Sequence, residues 1–257
     1  MQLFVYTIVF IMGCFFGSFY TLAVYRIPRK EDILIKHSYC PNCNHKLGFF
    51  DLFPVLSYLF LGGKCRYCKN KIRPRYFILE ICSGLTFVLI ALGQDLLKNV
   101  GDIEQIVYLG ASSLYVAVLF IIAGIDKENI KVETSVLLFG FLIEIMYIIY
   151  LCTLGRYNVY QYVIYLMIAI VLLVMSLISY KLTMKQSYVI QILFLSLYMV
   201  IFCGGIEFGL SMILTLLAIA FYTIGKKKKE TLPIGFFMSV CNIIVLIGIP
   251  IISHYVK

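Results

Sequence analysis

Charge is scarce in this chain. Of its 257 residues only 14% are Asp, Glu, Lys or Arg, against about 25% in a soluble globular domain. Apolar side chains make up 62%, more than a soluble fold of this length can hide. An ordinary soluble enzyme is thereby excluded, and so is a disordered chain, which is poor in apolar residues. Aspartate is scarcer still: Asp32, Asp51, Asp95, Asp102 and Asp126 are the whole set, and none follows Asp126. A secretory leader with a small-residue cleavage site is missing too. The first apolar run, from Gln2 to Val24, therefore reads as a retained helix. What remains is an all-α polytopic membrane protein.

A span needs roughly 17–25 mostly apolar residues. Windows at 2–25, 77–94, 106–125, 133–152, 160–180, 188–203, 208–225 and 232–252 meet or approach this, so about eight spans are expected. The windows 188–203 and 208–225 are the weakest, and seven is the competing count. The net charge of +9 is an orientation signal. Basic residues crowd segments 26–76, 126–132, 181–187 and 226–231, which alternate along the chain. Lys98, Arg156 and Lys257 alone fall on the other side. The positive-inside rule then puts segment 26–76 in the cytoplasm and both termini outside. A charge-led nucleic-acid partner is not expected, whereas the lipid bilayer is. The expected organisation is a first helix over 1–25, a cytoplasmic loop over 26–76 and a helical domain over 77–257.

Nine cysteines are present. Cys14, Cys82, Cys152, Cys203 and Cys241 stand alone in apolar stretches and read as small buried hydrophobes. The other four form two knuckles, Cys40-Pro41-Asn42-Cys43 and Cys65-Arg66-Tyr67-Cys68. Two C-x2-C pairs at this separation are a strong signal for a four-thiolate tetrahedral site, with zinc favoured over an iron centre or a redox dithiol pair. Four thiolates leave no open position, so the ion's role is structural. His37 and His45 are not needed as ligands. A loop this small has little core of its own, and a metal clip supplies its folding energy. Within it, residues 49–58 are strongly apolar and are expected to pack on the membrane surface or the helix bundle. Glu80 lies about one turn inside an apolar helix, where a carboxylate needs a partner. Arg73 and Arg75 are the candidates, and the pair reads as a structural ion pair or as a substrate or cofactor contact.

A peptide bond can be cut without metal by two close carboxylates that share a proton. Asp126 ends the third expected span, at the cytoplasmic face, and is the candidate catalytic acid. Glu133, seven residues on, is the candidate partner. Glu144 lies well inside the fourth span, and Glu207 falls at the opposite face.

These residues resemble a family, the bifunctional type IV prepilin leader peptidases and N-methyltransferases, which are membrane aspartic peptidases. Gly17-Ser18-Phe19 and Tyr25-Arg26-Ile27-Pro28 resemble the opening motif. The two cysteine knuckles, Asp51-Leu52, Pro54, Ser57-Tyr58, Arg75-Tyr76 and Glu80 resemble the cytoplasmic region linked to methyl transfer. Ile125-Asp126 resembles the first catalytic aspartate, and Pro233-Ile234-Gly235 the late proline-glycine motif. Gly235 read physically is a site of tight helix packing. The resemblance implies cleavage of a pilin-like precursor, with a basic leader and an apolar helix, at the cytoplasmic membrane face of a bacterium. It also implies methylation of the new N-terminus with S-adenosylmethionine as donor, although no glycine-rich donor-binding loop stands out.

One departure matters. The family's second catalytic aspartate sits in a Gly-x-Gly-Asp motif, and by spacing Tyr188 occupies its place here. Tyrosine, with a reference pKa near 10, is no base at neutral pH. The alternatives are therefore a protein that keeps only methyl transfer, or a non-catalytic pilin-binding homologue. A transporter fits the cysteine loop poorly.

Overall fold

The computed structural model describes residues 2–33, 37–94, 102–155, 159–183, 188–225 and 232–255. Of the charges used for orientation, Lys36, Lys98, Arg156, Lys185, Lys226 to Lys229 and Lys257 lie outside these. So does Asp95.

The regular secondary structure of the described residues is helical apart from two isolated β-bridges. The helices are α1 (Gln2–Arg26), α2 (Leu56–Phe60), α3 (Arg75–Gly93), α4 (Ile103–Asn129), α5 (Thr134–Thr153), α6 (Val159–Thr183), α7 (Tyr188–Cys203), α8 (Gly205–Gly225) and α9 (Ile234–Tyr255). Seven of them are long and apolar enough to cross a membrane, which makes this a multi-pass membrane protein. The difference from the expected eight lies in α7. It has 16 residues, about 24 Å of helix against a hydrocarbon core of about 30 Å. Leu195, Tyr198 and Met199 on it are wholly buried, and it packs on α5, α6, α8 and α9. By contrast the window at 208–225 belongs to a helix of 21 residues, long enough to span.

The chain forms two compact units, Met1–Ile106 and Val107–Lys257. In the first, α1 and α3 pack along their length. α1 stops where Pro28, which has no N–H to continue the ladder, enters a 3-10 turn over Ile27–Arg29. Gly13 and Gly17 lie one turn apart on the face toward α3. A Cβ on Gly17 would stand 2.7 Å from the Glu80 Cα, and one on Gly13 would stand 2.8 Å from the Gly84 Cα. Small residues at this spacing let two membrane helices touch backbone to backbone. Gly17→Ala is expected to cost about 1–3 kcal/mol by overpacking this seam. Gly110→Ala, where a Cβ meets nothing within 4 Å, is the control and should not destabilise. Unfolding midpoints of the two variants in one detergent check this.

In the second unit α4 carries the core. Tyr115, Val116, Leu119, Ile122 and Ile125 are wholly buried. The Tyr115 ring stacks on Tyr198 of α7 at 4.9 Å, and its hydroxyl donates to Asn242 Oδ1 of α9 at 2.7 Å. Asn242 in turn donates to Ser211 Oγ of α8. Glu144, on α5, is buried, and no group among the described residues hydrogen-bonds either of its oxygens. α6 turns most of its apolar side chains outward, as a lipid-facing helix does.

Candidate functional site

Each unit holds one constellation. In the first, the two cysteine knuckles share one backbone design. The Cys40 N–H donates to the His45 carbonyl, and the Cys40 carbonyl accepts the Asn44 N–H. The Cys65 N–H and carbonyl make the same two bonds with Asn70 and Lys69. Asn44 (φ 55°) and Lys69 (φ 58°) take the left-handed turn that reverses each knuckle. Antiparallel bridges close both, Tyr39 with Lys46 and Lys64 with Lys71.

The four Sγ atoms lie within 4.8 Å of one another, and Cys40 and Cys68 are 3.9 Å apart. A tetrahedral ion with bonds of about 2.3 Å holds its sulfurs about 3.8 Å apart. The residues therefore fit zinc. The crowded thiols pull apart in acidity. The Asn70 N–H and the Asn42 amide draw Cys68 down to about 6. Although the His45 N–H draws Cys43 down, desolvation and the Cys40 and Cys68 sulfurs push it up to about 11. A dication relieves that crowding. His45 stacks on Tyr67 across the knuckles at 3.6 Å, and neither His37 nor His45 belongs to the metal-ligating cluster among the described residues.

The chain around the knuckles is pinned at three points. Arg26, buried at the end of α1, donates to the Asp32 and His37 carbonyls. Asp51 accepts from Arg66, Tyr67 and the Gly48 N–H. Burial pushes its carboxyl up, but these donors outweigh burial and hold it below the ordinary carboxylate value. Glu80 accepts the Val55 N–H at 2.8 Å and the Ser18 hydroxyl. The Val55 bond was not foreseeable from sequence. Val55 has φ 63° and ψ −54°, with the Leu56 N–H returned to the Pro54 carbonyl at 2.6 Å. Such a γ-turn is rare and strained, most of all for a β-branched residue. Glu80 is the group that holds it.

A cavity of about 680 Å³ opens beside the second knuckle, lined by Phe49, Phe50, Asp51, Phe60, Arg66 and Tyr67 among others. Its acid, Asp51, is already bonded on both oxygens. These residues do not fit a specific seat for S-adenosylmethionine, and the donor's place is not assigned to them.

In the second unit three helix ends meet at Asp126. It lies near the end of α4, fully buried. Tyr188, the first residue of α7, donates to Asp126 Oδ2 at 3.0 Å. The Phe236 N–H, in the first turn of α9, donates to the same oxygen at 3.0 Å. The Gly235 N–H donates to the Tyr188 hydroxyl at 3.3 Å. First-turn amides have no partner within their own helix and carry the positive end of its dipole, so they suit a carboxylate. A Cβ on Gly235 would stand 3.1 Å from Asp126 Oδ2. The late glycine thus gives the carboxylate room, a role its helix-packing reading misses. Asp126 Oδ1 has no hydrogen-bond partner among the described residues. Glu133 stands at the N-terminal boundary of α5 without a side-chain capping bond, and its Oε1 accepts the Lys131 ammonium at 2.8 Å. Asp126 and Tyr188 are hydrogen-bonded; the described hydrogen bonds do not link Glu133 to Asp126.

Comparison with known proteins bears on the first constellation. Residues 11–93 match the family model of the Bacterial Peptidase A24 N-terminal domain. That range holds the four cysteines and Glu80. The chain is similar to the prepilin leader peptidase/N-methyltransferase of Vibrio cholerae serotype O1, 43% identical over 97 residues, 34% of this chain and 37% of the relative. The protein of that name from Bacillus subtilis is 40% identical over 81 residues, 32% of this chain and 33% of the relative. The one from Klebsiella pneumoniae is 35% identical over 86 residues, 31% and 38%. The matched stretch spans little more than a third of these relatives. No solved structure matches the chain.

Proposed function

We propose, from the similarity of residues 11–93 to the prepilin leader peptidase/N-methyltransferases, that the chain processes pilin-like precursors at the cytoplasmic face of a bacterial inner membrane. The substrate is a precursor with a basic leader ahead of an apolar helix. The first unit serves N-methylation of the new terminus and the second serves leader cleavage. Zinc on Cys40, Cys43, Cys65 and Cys68 is structural. S-adenosylmethionine, by resemblance, would be the methyl donor, and no residue of the chain is assigned to hold it.

The observation that carries the peptidase half is Asp126, a buried carboxylate at the end of α4 with one oxygen gripped by the starts of α7 and α9 and the other without a hydrogen-bond partner among the described residues. Asp126 is the general base. It takes a proton from water, whose oxygen attacks the scissile carbonyl carbon. In a two-carboxylate site the protonated partner donates to the developing oxyanion. A phenol is protonated at neutral pH and can donate in that way. Tyr188 turns its hydroxyl from Asp126 to the oxyanion. Asp126 then passes its proton to the leaving nitrogen as the C–N bond breaks.

A second reading rests on the same asymmetry. The four-thiolate site is complete, whereas Asp126 is met by a phenol and amides. A chain that only methylates processed pilin agrees with that. Membranes carrying the chain are incubated with a pilin precursor and, separately, with pilin already freed of its leader. Intact mass reads leader loss and methyl gain independently. Both changes support the proposal. Methylation of the processed pilin without leader loss supports the second reading. Neither change, with folded protein, contradicts both.

A further inference from the structure

We infer that residues 49–60, between the two cysteine knuckles, form a re-entrant element whose phenylalanine face lies in the acyl region of the bilayer. The segment belongs to the expected cytoplasmic loop, where its apolar residues are expected to pack on the membrane surface or the helix bundle, and its contacts lie deeper than that, below the helix ends. The Phe53 ring meets Phe15 edge-on at 5.4 Å. Phe15 stands eleven residues before the end of α1, about 16 Å along the helix axis. The Val55 N–H reaches Glu80, five residues inside α3, about 7 Å from its start. Tyr58 stacks on Phe77 near that start, at 4.9 Å. The chain therefore dips along α1 and α3 and returns.

Backbone at that depth must satisfy its own polar groups, and this segment largely does. The N–H groups of Asp51, Leu52, Leu56 and Ser57 donate to carbonyls within residues 48–54, Val55 donates to Glu80, and Pro54 has no N–H. Large apolar side chains dominate the exposed face of the segment, beside the Asp51–Arg66 ion pair that lines the same cavity. Phe49, Phe50 and Phe60 are 71%, 78% and 85% exposed. Arg29, Lys30 and Arg73, all exposed, flank the points where the chain leaves α1 and enters α3. They suit the anionic headgroup layer. An apolar tip below a basic rim fits a lipid surface.

The chain contains no tryptophan, so one substitution gives one indole. Phe60→Trp and Phe50→Trp, with Lys46→Trp on a knuckle as the water-facing control, are reconstituted as full chains. The vesicles are phosphatidylcholine with phosphatidylglycerol, with and without bromine on the acyl chains. Retained zinc certifies folding, and the two phenylalanine positions test the segment independently. Brominated lipid is expected to quench both Phe-derived indoles several-fold more than the Lys46→Trp indole, and aqueous iodide is expected to quench them several-fold less. Iodide quenching equal at all three positions, with no effect of bromine, overturns the inference. Indifference to bromine, with shielding from iodide only after pilin precursor is added, also overturns it and makes the face a protein-docking surface.

Discussion

Purified Cys40→Ser protein is expected to carry no zinc, where the wild-type chain carries one ion. The argument is geometric and energetic together. The two knuckles each fold on two backbone bonds, and little else among the described contacts joins one to the other beyond the His45–Tyr67 stack and the sulfurs themselves. A structural zinc in a small thiolate site supplies on the order of 10–16 kcal/mol of folding free energy. Serine offers a weak, protonated ligand in place of a thiolate, so the clip fails rather than weakens. Metal analysis reads the loss. Limited proteolysis is expected to cut between residues 37 and 72 in the variant and in chelator-treated wild type, and not in untreated wild type. Methyl transfer is expected to disappear with the metal. Zinc retained at wild-type stoichiometry in Cys40→Ser contradicts the four-thiolate assignment.

Asp126→Asn is expected to lower leader cleavage by roughly 10²–10⁴-fold, the contribution of a positioned general base. Asparagine has the same shape and keeps an acceptor for the Phe236 N–H and the Tyr188 hydroxyl. The helix ends stay together, and what is lost is the proton acceptor. Two readouts separate chemistry from collapse. Methylation of processed pilin should be unchanged, because Asp126 lies in the second unit and the cysteines in the first. The thermal midpoint should move little. The complementary substitution, Tyr188→Asp, places two carboxylates together, which cannot both ionise at short range. Cleavage by that variant is expected to persist with its pH optimum shifted acidic of the wild type. Rates measured across pH on one precursor check both.

Composition and patterning made much of this legible. Apolar run length gave about eight spans with seven as the competing count, since a bilayer sets the length a helix needs, and seven helices are long enough. The four cysteines follow from spacing, because a C-x2-C turn aims two sulfurs at one point. The short α7 was harder, since its 16 residues look like a weak span and gain their place by burial among other helices. Pairings across the fold were not legible. That Tyr188 bonds Asp126 depends on three helix ends meeting, residues 62 and 110 positions away in the chain. Spacing put Tyr188 where a second acid was expected, but only tertiary structure shows its hydroxyl on the carboxylate. Glu133, near Asp126 in sequence, is drawn to Lys131 instead. The Gly13–Gly17 seam was present as letters, and its close approach to α3 gives the spacing its meaning.

The claim that a phenol stands where a second carboxylate is expected is tested most directly by leader cleavage in Tyr188→Phe against Glu133→Gln. Both are assayed in the same membranes on the same precursor by intact mass. Tyr188→Phe is expected to fall by roughly 10²–10³-fold, as loss of one oxyanion donor does, while Glu133→Gln stays near wild type. Cleavage abolished by Glu133→Gln and untouched by Tyr188→Phe contradicts the account and makes Glu133 the second acid.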